Sequence, residues 1–201
     1  LMTLLTVIFI VTYAGSQKFL KTIIFRFMKQ EAVSVRDAAL NCLDPDMLWE
    51  LTRDAQADPE TDWREDDRYI EIQECMIYEN INYERAAIFT YYQNDEGTFV
   101  FGVDGWVESG SEDEESIPFG EEIAIETVGD LVFESMSNGL LANGLVAESS
   151  TDELYYDDEA EVSFFALASP IPDGSGGTIG GIAILVNAND FIENVDTLSF
   201  L

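Results

Sequence analysis

The stretch EVSFFALASPIPDGSGGTIGGIAILVN, residues 161–187, decides how this chain is read. Its first arm, EVSFFALASPI (161–171), and its last, TIGGIAILVN (178–187), are apolar and rich in aromatic and β-branched residues, the composition of strands. Between them, Pro172-Asp173-Gly174-Ser175-Gly176-Gly177 is turn chemistry, so the stretch reads as a hairpin. The Gly-Gly pairs at 176–177 and 180–181 then serve turn geometry and close packing, not a nucleotide-binding loop.

Working upstream, AAIFTYY (86–92) and TFVFGVD (98–104) flank Gln93-Asn94-Asp95-Glu96-Gly97 and read as a second hairpin. The two hairpins are separated by residues 105–160. These hold the acidic loop ESGSEDEES (108–116), the turn Pro118-Phe119-Gly120, a helix expected around 123–138, and the tyrosine-bearing STDELYYDDEAE. A connection this long inside a compact domain covers something.

Before Arg85 the apolar period is helical. From Lys18 to Leu43 the positions Leu20, Ile23, Ile24, Phe27, Val35, Ala39, Cys42 and Leu43 recur at helical spacing without Gly or Pro, which predicts one long amphipathic stalk helix. Asp44-Pro45 ends it, with Asp44 placed to cap a second helix at 45–57 that offers Leu48 and Leu51 to the core. ADPETDWREDD reads as a solvated connection. A third helix is expected over 66–82, using Tyr69, Ile72, Met76, Ile77 and Ile81.

Residues 1–14, LMTLLTVIFIVTYA, carry no charge but span only about 21 Å as a helix, short of a hydrocarbon core of about 30 Å. They are expected to be the remaining part of a transmembrane helix. A secretory signal would carry its basic residues before the apolar run, and here Lys18, Lys21, Arg26 and Lys29 follow it. Those basics by themselves mark a cytoplasmic side, yet the acidity of the rest suits the exterior, and the domain is placed there. The expected layout is a partial transmembrane helix at 1–14, a stalk at 15–43, a sensor domain at 44–195 and an exit segment from 196 to 201.

The chain has 201 residues, 40 Asp+Glu against 9 Lys+Arg, a net charge of −31 and no histidine. Residues 1–30 hold four basic residues and no acid, whereas residues 86–201 hold 24 acids and no base. Such a field repels a polyanion and argues against nucleic-acid binding, and it suits a salt-rich or divalent-rich medium. Without histidine, Ser-His and Cys-His nucleophile pairs and most zinc or haem sites are excluded. No catalytic motif is present, so no enzymatic activity and no cofactor are expected from this chain. The acid clusters at 112–115 and 157–159 lack EF-hand spacing, and no metal site is assigned to them.

Three segments in this order resemble a Cache-type domain, the PAS-like extracytoplasmic sensor module of membrane receptors. They are AALNCLDPDMLWEL, AAIFTYYQNDEGTFVFGVD and FFALASPIPDGSGGTIGGIAILVN. The resemblance spans about residues 15–195. It implies an α+β fold in which the stalk helix packs on one face of a five- or six-stranded antiparallel sheet. A ligand pocket would lie between the other face and the 105–160 crossover. The receptors that carry such domains signal to a histidine kinase, a chemoreceptor region or a cyclase. Members of this family that capture amino acids hold the carboxylate with an arginine, and no basic residue follows Arg85 here. A cationic or neutral small ligand is therefore favoured.

Under such a crossover, Tyr91 or Tyr92, Asp104, Trp106 and Tyr156 are the candidate ligand-binding residues, with aromatic core as the plainer reading of each. Cys42 and Cys75 fall on two helices and are either a disulfide in an oxidising exterior or two buried thiols. The stalk's apolar stripe exceeds what one domain covers, so a homodimer through it is expected. The rival reading is a membrane-anchored surface or assembly protein of the pilin kind, which also joins an apolar helix to a β-rich head.

Overall fold

The computed structural model describes residues 2–80, 86–94, 96–105, 119–140, 149–151, 154–157, 162–173 and 177–189. Helix α1 runs unbroken from Met2 to Cys42. Among the described residues no helix is long and apolar enough to cross a membrane. Helix α2, Pro45–Ala57, starts where Asp44 predicts: its carboxylate accepts from the backbone N–H of Asp46 at 2.9 Å and of Met47 at 3.3 Å. Two of the four orphan donors of that helix end are thereby satisfied.

The buried seam of α1 is Met28, Ala32, Val35, Ala39 and Leu43, at steps of three and four residues. Phe27, expected in the stripe, is 59% exposed, because the neighbouring Met28 takes the inward position one residue round the helix. Helix α3, Asp67–Asn80, contributes Tyr69, Ile72 and Met76 to the same core, as Leu48 and Leu51 do from α2. Ile81 lies outside the described residues.

The segment 57–67 is not merely a solvated connection. Trp63–Glu65 form a 3₁₀ turn, and the Trp63 indole N–H donates to the Asp58 carbonyl at 2.9 Å. Arg68 reaches Asp54 and Asp66, each at 2.9 Å, with its guanidinium 5.9 Å from the Trp63 ring centre. A planar fork that meets two carboxylates and a ring can tie three elements together, which a run of charges read one by one does not reveal.

The sheet contains β1 (Ala86–Gln93), β2 (Phe99–Asp104), β3 (Ser149–Ser150), β4 (Tyr155–Asp157), β5 (Val162–Pro172) and β6 (Thr178–Asn187). All pairings are antiparallel, in the order β2-β1-β6-β5-β3, with β4 also on β5. Both expected hairpins are present. They meet through β1 and β6, where Thr90 lies opposite Ile182. Strands β3 and β4 come from the crossover and were not legible as strands. The same crossover supplies α4 (Ile125–Val128) and α5 (Asp130–Leu140), where one helix was expected; Gly129, at φ 78°, separates them.

The fold is thus α+β, with the stalk helix on one face of an antiparallel sheet. Alternation sorts the sheet's side chains. Ile88, Leu167, Ile182, Ile184 and Val186 pack towards the α1–α3 side, and Phe89, Tyr91, Ala166, Ala168 and Ala183 towards the side of α5.

Candidate functional site

On the crossover side, Tyr91 is fully buried and its hydroxyl donates to the Met136 carbonyl of α5 at 3.0 Å. Burial holds its phenol neutral well above the ordinary tyrosine range. Its ring meets Phe89 and Phe99 at centroid distances of 6.5 and 6.0 Å, and these in turn meet Phe101 and Phe133 at 5.2 and 5.4 Å, in tilted and edge-on contacts. Gly181 lies directly opposite Tyr91, and a Cβ there would overlap the tyrosine ring. The aromatic layer therefore depends on this close approach of backbone to ring.

Tyr92, the next residue, points to the opposite face. There α2, the Trp63 turn, the β1–β2 hairpin and Phe119 bound a groove of about 330 Å³. Phe119 lies 6.1 Å from Tyr92 and 5.8 Å from Tyr69, ring centre to ring centre. It is held there because residues 119–123 run along the outer edge of β2: Gly120 N–H donates to the Phe101 carbonyl and Phe101 N–H to the Glu121 carbonyl, both at 2.8 Å. Gly120, at φ 85°, allows the turn. Burial pushes the Tyr92 phenol up to about 12, and its hydroxyl has no hydrogen-bond partner among the described residues.

Asp104 ends β2 and is buried on the α3 side, accepting from Gln73 Nε2 at 2.8 Å. It sits near the Tyr69 hydroxyl, which is buried without a hydrogen bond of good geometry among the described residues. Burial first, and the charge of Asp104 second, push that phenol up to about 12. Just before Asp104 the β1–β2 register shifts, and Thr90 Oγ1 fills the step: it accepts from Val103 N–H at 2.7 Å and donates to the Val103 carbonyl at 3.2 Å.

The expected ligand-binding residues do not converge. Tyr91 lies under α5, Tyr92 in the groove, Asp104 against α3, and Tyr156 is 53% exposed on β4 at the far edge of the sheet. Trp106 lies outside the described residues. Adjacent strand residues face opposite ways, and strand order puts β4 and β2 at opposite edges, so residues grouped from the sequence are separated by the fold. The groove residues Trp63 and Phe119 were missed; the Pro118-Phe119-Gly120 turn was visible, but what it packs against was not. Cys42 and Cys75 are joined as a disulfide, Cα to Cα 6.0 Å, linking the end of α1 to α3.

No family model matches the chain, and no curated protein matches it in sequence. Solved structures do. The ligand-binding domain of the Campylobacter jejuni chemoreceptor Tlp3, in complex with 4-methylisoleucine, is 12% identical, with a TM-score of 0.38 over 87% of this chain and 64% of that one. This chain therefore spans about two thirds or less of that domain. The ligand-binding domain of the Pseudomonas aeruginosa PAO1 amino acid chemoreceptor PctC, in complex with GABA, is 11% identical, with a TM-score of 0.41 over 92% and 67%. The periplasmic domain of RsbU from Chlamydia trachomatis is 13% identical, with a TM-score of 0.40 over 90% and 58%. With scores below 0.5, the reading of the site rests on its own geometry.

Proposed function

We propose that this chain is the small-ligand sensing domain of a membrane-anchored receptor of the Cache type, with the domain outside the cytoplasm and α1 carrying the response. The observation that supports this is the sandwiching of one sheet between two differently built layers. On one face α1 is seated through Met28, Ala32, Val35, Ala39 and Leu43; on the other the crossover helix α5 is held by the Tyr91 hydroxyl. Ligand entering on the crossover side would displace α5 from the sheet, and the sheet would pass the strain to the stalk it touches. Tyr91 is the sheet-side contact in this reading, and Trp106 remains a candidate beside it.

The apolar residues 1–14 serve as the anchor, and a cytoplasmic output lies elsewhere in the receptor. Phe19 and Phe27, 66% and 59% exposed and eight residues apart on α1, are the contact for a homodimer. Ligand shifts the population between two arrangements of the paired stalks.

Thermal melting of the full chain in detergent and high salt, against amines, metals, organic acids and sugars, tests the proposal. A compound that raises the midpoint dose-dependently supports it, since only native-state binding stabilises by mass action, by about 2.7 kcal/mol at a hundredfold excess over Kd. If salt alone moves the midpoint and no compound does, sensing fails and a pilin-like assembly role takes its place.

A further inference from the structure

We infer that the groove between α2 and the β1–β2 hairpin binds a compact organic cation of the alkylammonium class. This groove lies on the face of the sheet opposite α5 and Tyr91, so the inference does not depend on the ligand proposed there. Its volume, about 330 Å³, falls within the range of small-ligand cavities. Three aromatic side chains, Trp63, Tyr92 and Phe119, line it, and aromatic faces attract cations through their quadrupoles. Trp63 already shows this chemistry with the Arg68 guanidinium 5.9 Å from its centre.

The polar groups select the same sign of charge. Glu96 is among the residues that line the groove, and no Lys or Arg lines it among the described residues. Arg68 is neutralised by Asp54 and Asp66 and offers an anion nothing. The Tyr92 hydroxyl is 5% exposed as a residue, borders the groove and has no protein partner among the described residues. Its oxygen can accept from an ammonium N–H or lie against an N-methyl group. Gln56 donates its side-chain N–H to the Gln93 carbonyl at 3.3 Å, which leaves its own carbonyl oxygen as a further acceptor.

Calorimetric titration of the full chain in detergent with tetramethylammonium chloride, at matched ionic strength, tests this, with tert-butanol as the neutral counterpart of similar shape. The expected result is saturable binding at one site per chain, absent with tert-butanol. Glu96→Gln, on the exposed hairpin turn, and Phe119→Leu each weaken it by about tenfold. Equal binding of the neutral compound, unchanged affinity in both variants, or no saturation at roughly 10 mM overturns the inference. If tetramethylammonium raises the melting midpoint as much in Glu96→Gln as in the unaltered chain, sensing is upheld and this site is overturned.

Discussion

At Thr90 a single hydroxyl closes the irregular step between β1 and β2, satisfying both the N–H and the carbonyl of Val103. Thr90→Val keeps the shape and leaves those buried groups unpaired, so a loss of about 1–3 kcal/mol is expected in denaturant unfolding. An unchanged midpoint would show that the hydroxyl is dispensable. Gly181 makes the converse case, since it works by having no side chain: Gly181→Ala drives a methyl into the Tyr91 ring, and overpacking of this kind costs about 1–3 kcal/mol. That variant should also part Tyr91 from Met136. Tyr69 and Tyr92 have phenols raised to about 12 from an unfolded value of 10.0. Their contribution to stability is complete below pH 10 and is lost as pH rises through about 12. Phenolate absorbance followed alongside circular dichroism should show three late tyrosines, these two and Tyr91, ionising as the fold is lost. If all tyrosines titrate together near 10 while the fold persists, the buried placement is wrong.

The elements were largely legible because their signals are local. Helical spacing, the Asp44-Pro45 start and the two hairpins all follow from neighbours a few residues apart. Gly129 was not recognised as a break, since an isolated glycine in a helical pattern does not announce its φ. Nor was the corner at Trp63, where Arg68 spans 14 residues to Asp54. Hydrogen bonds from Arg64 hold the Asp62 carboxyl down at about 2, and those from Arg68 hold Asp54 and Asp66 below the ordinary range. These pairs stabilise above the unfolded carboxyl value of 3.8 and are lost as pH falls through the lowered values, towards about 2. A pH titration should therefore loosen the α2–α3 corner in that window, and the effect should be muted in Arg68→Gln. The disulfide ties the same helix α3 to the end of α1. It closes a loop with a sequence separation of 33, and reducing it should lower stability by roughly 3–4 kcal/mol on the chain-entropy account. Equal denaturant midpoints with and without reductant would rule that out.

Over the whole molecule, charge and topology act together. The −31 field is lopsided, with a basic start and a final 116 residues that carry no base. Self-repulsion of this size is screened within about 10 Å at 0.1 M salt, so the melting midpoint should climb steadily as salt is raised. A flat response would show that the acids repel no more in the folded state than in the unfolded one. The sequence by itself determined the class of elements, the acidic surface, the lack of histidine chemistry and the position of the long crossover, because composition, period and turn chemistry are properties of short windows. Only the tertiary structure decided that β1 and β6 lie side by side, that Tyr91 and Tyr92 serve opposite faces, that Tyr156 stands at the far edge, and that Trp63, Tyr92 and Phe119 share one groove. The physical reason is that strand order and the docking of a turn on a helix are set by pairings across tens of residues, where burial and hydrogen bonding are satisfied jointly and no local window carries the choice.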